Sequence, residues 1–100
     1  MFPSRLPKEQ VDFLCDAIAA AGTREQVSRL LEDLCTIAEV ESLCQRLVVA
    51  RLLRAGATYQ QIVRETGASS ATISRVKRCL EYGAGGYQLI LQTLDEREER

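Results

Sequence analysis

The sequence predicts an all-α fold, and three observations support that prediction. Both prolines, Pro3 and Pro7, lie before residue 8, so no proline interrupts a helix further along the chain. Apolar side chains recur at helical intervals over most of the sequence, and no stretch alternates apolar and polar residues as a strand would. With 100 residues and 46% hydrophobic content the chain can form one small core, so we predict a single domain over residues 1–100.

Three amphipathic helices are predicted before residue 56. The first ends near Gly22, and Thr23 caps the second, where Thr23 and Gln26 fit a capping box. The third runs from about residue 37 or 38 to Ala55, and its apolar arc is too wide for one contact face. The apolar positions are Val11, Leu14, Cys15 and Ile18 in the first helix, Val27, Leu30, Leu31 and Leu34 in the second, and Val40, Leu43, Cys44, Leu47, Val48, Val49, Leu52 and Leu53 in the third.

The wide apolar arc of the third helix has to be covered on two sides. A monomer with short helices has little material for that cover, so we predict a homodimer in which helices of one chain pack on the other. The alternative is that the first two helices wrap the third within one chain.

The stretch from Thr58 to Leu80, TYQQIVRETGASSATISRVKRCL, has the spacing of a DNA-binding helix-turn-helix. Thr58 caps a helix of two turns, Gly67 permits the left-handed backbone that ends it, and Ser69 or Ser70 caps the next helix. The predicted inward stripes are Tyr59, Ile62, Val63 and Thr66, then Ile73, Val76 and Leu80, while Ala71, Ser74, Arg75 and Arg78 lie on the opposite face of the second helix.

That opposite face suits a major groove, because small side chains allow close approach, hydroxyls meet base edges and guanidinium groups reach guanine or phosphate. The charge distribution supports this interpretation. Residues 45–80 have seven basic side chains and one acidic, a balance of +6, whereas residues 1–44 sum to −4 and residues 81–100 to −3. A total of −1 therefore hides a basic segment that coincides with the helix pair, as expected of phosphate contact.

The remaining composition argues against a metal site, an enzyme and a membrane protein. Without histidine and without a CxxC pair, we expect no metal, and the cysteines are predicted to be buried apolar side chains of a reducing cytosol. A redox role for one of them, near the basic helix, is the alternative. No phosphate-cradling glycine loop, secretory start or apolar run of membrane length is present, so we expect a cytoplasmic protein without catalytic residues. The cysteines are Cys15, Cys35, Cys44 and, as the redox candidate, Cys79.

After the helix pair, Gly83, Gly85 and Gly86 break the helical pattern, and a final helix starts near Tyr87. Its charged end, residues 95–100, is predicted to be a mobile acidic tail.

The string LLRAGATYQQIVRETGASSATISR resembles the tryptophan repressor family. It is more similar still to the YerC/YecD branch of that superfamily, through DLCT, QRL and the long run ETGASSATISRVKRCLEYGAGGY, and the likeness spans about residues 10–94. The resemblance implies a TrpR-like fold of about six helices in an intertwined homodimer.

What the resemblance implies about a ligand is less direct. In the tryptophan repressor the indole lies between two arginines, and only Arg75 has a counterpart, since Gln45 stands at the other position with Arg46 beside it. Val76 replaces a glycine and Cys79 replaces a serine, so tryptophan is not expected as corepressor. Either another small molecule binds or no cofactor is needed. The candidate pocket residues are Gln45, Arg46, Thr72, Arg75 and Cys79.

We therefore predict a sequence-specific regulator of transcription, a repressor, that binds double-stranded DNA as a dimer and associates with the bacterial nucleoid. Its target would be a palindrome with half-sites roughly 10 base pairs apart. A protein-interaction module that keeps the helix pair as scaffold, and a regulator that senses a molecule other than tryptophan, are the alternatives. By position, Ser70, Ala71, Thr72 and Ser74 match DNA-facing positions of the family, whereas Gln60 and Val63 replace basic ones. The predicted DNA-binding residues are Tyr59, Gln60, Arg64, Ser69, Ser70, Ala71, Thr72, Ser74, Arg75, Lys77 and Arg78.

Overall fold

The computed structural model describes residues 2–98, and every regular element in that range is an α-helix. The predicted all-α fold with six helices is confirmed. None of the described helices is both long and apolar enough to cross a membrane. The helices are α1 (Lys8–Ala20), α2 (Arg24–Leu34), α3 (Ile37–Arg54), α4 (Tyr59–Thr66), α5 (Ser70–Tyr82) and α6 (Gly86–Glu98).

The chain forms two compact units, Met1–Val40 and Glu41–Arg100, and the division falls within α3. The first unit contains α1, α2 and the start of α3, and the second contains the rest of α3 with α4, α5 and α6. The prediction of one domain over residues 1–100 stays a prediction.

Side-chain caps set the helix starts in the first unit. Thr23 Oγ1 accepts a hydrogen bond from the Gln26 amide at 3.1 Å, which confirms the predicted cap of α2. The Gln26 side chain returns a bond to the amide of Gly22 at 2.9 Å, one residue upstream of the position that a capping box uses. The chain entering α2 is thus held on both sides of Thr23.

A second cap, which sequence reasoning missed, opens α3. The Glu39 amide donates to Thr36 Oγ1 at 3.1 Å, and the Thr36 amide donates to Glu39 Oε1 at 2.8 Å. These reciprocal bonds form a capping box, and the T-x-x-E spacing was the signal that could have found it. Because the Thr36 backbone and hydroxyl both favour the ionised carboxylate, they hold the pKa of Glu39 below its ordinary value of 4.5.

The apolar stripes of α1 and α2 are not buried within the chain. Neither helix contains a fully buried side chain, and Leu14, Ile18 and Leu34 are each exposed over about half of their surface. The prediction that the cysteines are buried is wrong for this chain by itself, because they lie on faces that it leaves uncovered. Cys15, Cys44 and Cys79 are exposed and Cys35 is half-buried.

The core lies entirely in the second unit. It joins the middle of α3 to the helix pair and to α6, and the predicted inward positions Ile62, Ile73 and Val76 are confirmed as buried. Leu52, Leu53, Ala57, Leu80 and Tyr87 pack against it. The buried residues are Val49, Ala50, Ile62, Ala68, Ile73, Val76 and Leu91.

The final helix is longer than the sequence predicted. Residues 95–98, assigned to the mobile tail, continue α6 to Glu98, and residues 99 and 100 lie outside the described part of the chain. Two side-chain contacts favour the helical form. Arg54 Nη1 lies 2.6 Å from Asp95 Oδ2, and the Gln92 side chain donates to Glu96 Oε1 at 3.2 Å. The expected tail is therefore attached to α3 through Arg54.

Candidate nucleic-acid interface

Both ends of α4 are defined by side chains and backbone that the sequence places there. Thr58 Oγ1 accepts from the Gln61 amide at 3.2 Å, and Gln61 Oε1 accepts from the Thr58 amide at 2.8 Å, so the predicted cap is a full capping box. At the other end Gly67 has φ of +69°, and its amide donates to the Val63 carbonyl at 2.8 Å. The left-handed conformation that the glycine predicted is confirmed.

The second helix of the pair begins immediately after the turn. Ser69, and not Ser70, is its cap, because Ser69 Oγ accepts from the Thr72 amide at 3.1 Å. The Ser69 hydroxyl also donates to Thr72 Oγ1 at 3.1 Å. Two of the hydroxyls predicted to face DNA are thus engaged with each other at the start of α5.

The outward face of α5 has the predicted small and cationic character. Ser70, Ala71 and Ser74 are exposed beside the helix N-terminus, whose unpaired amides and dipole favour anions. Arg75, Lys77 and Arg78 follow along the same helix and are also exposed, whereas Thr72 is half-buried. Direct contact of these residues with DNA stays a prediction.

The positive charges of the basic segment are not equally available. Three ion pairs occur among residues 2–98, and Arg54 belongs to one of them through Asp95. Arg54 Nε also donates to Gln88 Oε1 at 3.1 Å, so this guanidinium is committed to α6. The exposed cations of the helix pair that enter none of these ion pairs are Arg64, Arg75, Lys77 and Arg78.

A contact between the two helices joins their exposed surfaces. Lys77 Nζ lies 5.8 Å from the centroid of the Tyr59 ring, within the range of a cation–π interaction. Tyr59 and Val63 were predicted to belong to the buried stripe of α4, and that is wrong, since they are 40% and 47% exposed. An eight-residue helix buries a narrow face around Ile62, and its flanking positions remain on the surface with Gln60.

Two residues of the candidate ligand pocket, Gln45 and Arg46, donate hydrogen bonds to backbone carbonyls. The Gln45 Nε2 atom donates to the carbonyl of Thr66 at 3.2 Å, and Arg46 Nε donates to the Ser42 carbonyl at 3.4 Å. Arg75 and Cys79 are exposed on α5, and the hydrogen bonds of residues 2–98 join neither of them to α3. Val76, which stands where the tryptophan repressor has a glycine, is only 1% exposed, so its side chain is packed in the core.

Sequence reasoning missed Gln61, and it assigned Gln45 only to the candidate ligand pocket. Gln61 completes the α4 cap, and the T-x-x-Q spacing was a local signal for it. The bond from Gln45 to Thr66 joins residues 21 positions apart, and no local pattern could have shown it.

Comparison with known proteins gives consistent matches over nearly the whole chain. The family model described as Trp repressor protein matches residues 9–95. YerC, an uncharacterised protein of Bacillus subtilis (strain 168), is 50% identical over 94 residues, which cover 94% of this chain and 90% of YerC. This relative confirms the resemblance to the YerC/YecD branch.

Solved structures agree with the fold. A Staphylococcus aureus protein, solved as a candidate Trp repressor, superposes with a TM-score of 0.88 at 44% identity over 95% of both chains. A TrpR-like protein from Eubacterium eligens ATCC 27750 superposes with a TM-score of 0.87 at 42% identity, over 93% of this chain and 96% of that one.

Proposed function

We propose that this chain, which belongs to the Trp repressor protein family, represses transcription by binding a palindromic operator as a symmetric dimer. At the level of the family it is a DNA-binding regulator. The dimer, the operator and the repressor role are the proposal. We place the protein in the cytoplasm, at the nucleoid when it is bound to DNA.

The surface of the helix pair is the observation on which the proposal depends. Arg64, Arg75, Lys77 and Arg78 are exposed and enter none of the ion pairs found in residues 2–98. Arg64 lies in α4 and the other three lie further along α5, whose first residues have small side chains that let the backbone approach base edges. Cations would hold phosphates and set the register, while the small polar positions would read sequence.

The dimer is supported by apolar surface that one chain leaves open. Leu43 and Leu47 are each 41% exposed on α3, although Val49 and Ala50 of the same helix are fully buried. Burying a fully exposed leucine is worth about 1.5–3 kcal/mol, so covering the exposed 41% of each of these two would gain about 0.6–1.2 kcal/mol per leucine. A two-fold axis would then present the two α5 helices to successive major grooves, roughly 10 base pairs apart.

We further propose that tryptophan is not the corepressor. The side-chain amide of Gln45 donates to the Thr66 carbonyl, and Val76 is packed into the core. Neither side chain is therefore free to line a slot for a flat ring. A different effector would have to use exposed groups such as Arg75.

Selection of bound sites from a random DNA library tests the proposal. The full-length protein, purified without added ligand, should enrich an inverted repeat whose half-sites are one helical turn apart. The variant Ser74→Ala should change which bases are preferred within each half-site. The control Gln92→Met, in the middle of α6, should enrich the same repeat as the unaltered protein. Absence of any enrichment and of binding at low salt would favour the protein-interaction module instead. Enrichment that returns only with a metabolite mixture would show that an effector is required.

A further inference from the structure

We propose that Gln45 is a positioning residue, which anchors the turn between α4 and α5 to α3 and thereby sets the separation of the two α5 helices in the dimer. The anchoring step concerns the free chain. The step that concerns separation rests on the function proposed above.

The anchor is a single hydrogen bond from α3 to the last residue of α4. Gln45 Nε2 donates to the carbonyl oxygen of Thr66, 3.2 Å away, and both residues are half-buried. Thr66 is the last residue of α4, where carbonyl groups have no partner within the helix. A half-buried carbonyl without a donor is costly, so this bond stabilises the helix end in one position relative to α3.

Thr66 links the anchor to the rest of the turn. Its hydroxyl donates to the Ile62 carbonyl at 2.7 Å and accepts from the Ala68 amide at 3.1 Å. Ala68 is 3% exposed and belongs to the core, immediately before the cap of α5. A displacement of Thr66 is therefore transmitted to the start of α5.

The two faces of α3 explain why the anchor would act on spacing. Gln45 lies one helical turn before the buried Val49, on the face toward the helix pair. Leu43 and Leu47, two residues to either side of Gln45, lie on the opposite face, which stays exposed. If the second copy packs on Leu43 and Leu47, α3 lies between the dimer contact and α5. The bond from Gln45 then holds the turn before α5 in one position relative to α3.

Amide hydrogen exchange on the free, full-length protein tests the anchor without DNA. In Gln45→Met the amides of Gly67 and Ala68 should exchange about fivefold faster, as expected from the loss of one typical hydrogen bond. Gln45→Lys keeps a donor and should restore most of the protection, and Gln92→Met, which removes only an exposed bond to Glu96, should change nothing. Unchanged exchange in Gln45→Met, or equal acceleration at core amides such as that of Ile73, would overturn the proposal.

Binding to a set of palindromes, with half-sites moved apart one base pair at a time, tests the effect on separation. The unaltered protein should show one preferred spacing. Gln45→Met should lose about fivefold at that spacing and less at its neighbours, so that the profile flattens, because the turn is free to shift. A uniform loss at every spacing would overturn the spacing role. If the unaltered protein bound no duplex at low salt, the proposed function and the spacing role would both fail, and the exchange experiment would still decide on the anchor.

Discussion

The exposed cations of the helix pair make the salt dependence of DNA binding a quantitative test. Each subunit presents four of them, Arg64, Arg75, Lys77 and Arg78, and a dimer would present twice that number. If all of them meet phosphates, log K should fall with log salt at a slope of about −7, since each contact contributes about −0.9. Raising the salt from about 50 to 200 mM should then weaken binding by about four orders of magnitude.

Replacing Arg78 by alanine removes two of these contacts per dimer. The slope should become about −5, and the same rise in salt should weaken binding by only about three orders of magnitude. The loss should be similar for all sequences, because phosphate contacts carry no base information. Fluorescence anisotropy of a labelled random duplex, measured at five salt concentrations, gives the slope directly.

Arg29→Ala is the matched control for this experiment. It removes the same charge from α2, where Arg29 pairs with Glu25 at 3.1 Å outside the basic segment. Its slope should equal that of the unaltered protein. An unchanged slope for Arg78→Ala, or an equal decrease for Arg29→Ala, would refute the assignment of phosphate contact to this face of α5.

Three further predictions concern the fold. Gly67→Ala should lower the free energy of unfolding by about 1–2 kcal/mol, because the left-handed backbone strains any side chain, although nothing lies within 4 Å of the added carbon. Thermal unfolding measures this loss. The control Gly86→Ala, where the added carbon also has nothing within 4 Å but φ is not positive, should lower the free energy of unfolding by less. Leu47→Glu should convert the dimer to monomer in sedimentation equilibrium, and a persisting dimer would place the interface elsewhere. The lowered pKa of Glu39 adds stability that is present above its ordinary pKa of 4.5 and is lost as the pH falls through the folded value. An NMR titration should show that pKa return toward 4.5 in Thr36→Val, and no change would contradict the role of the cap.

Local patterns were sufficient to predict the parts of the fold that depend on neighbours in sequence. The cap at Thr58, the left-handed Gly67 and the inward positions Ile62, Ile73 and Val76 all follow from spacing, and the structure has them. Periodicity gave the direction of each apolar stripe. Periodicity could not give the width of the buried face of α4. For that reason Val63 was assigned to the interior, although it is on the surface.

What the sequence could not predict depends on pairs that are distant along the chain. The charged run after Leu94 has the composition of a mobile tail, yet Asp95 meets Arg54, 41 positions earlier, and the helix continues. Because Arg54 pairs with Asp95, it is not one of the unpaired cations that the composition of residues 45–80 indicated. The cysteines were assigned to the interior by residue type, and the apolar faces that this chain leaves open determine their exposure instead.

The short length of α4 has a consequence for anyone who would move this helix pair into another protein. Eight residues are too few for a helix to persist in water without support, and here the support comes from the cap at one end and from Gln45 and the core at the other. A peptide of residues 58–80 would contain the cap but not the anchor. A transplanted helix pair therefore has to include the second half of α3, so the smallest segment that keeps α4 supported begins near residue 45 and not at Thr58.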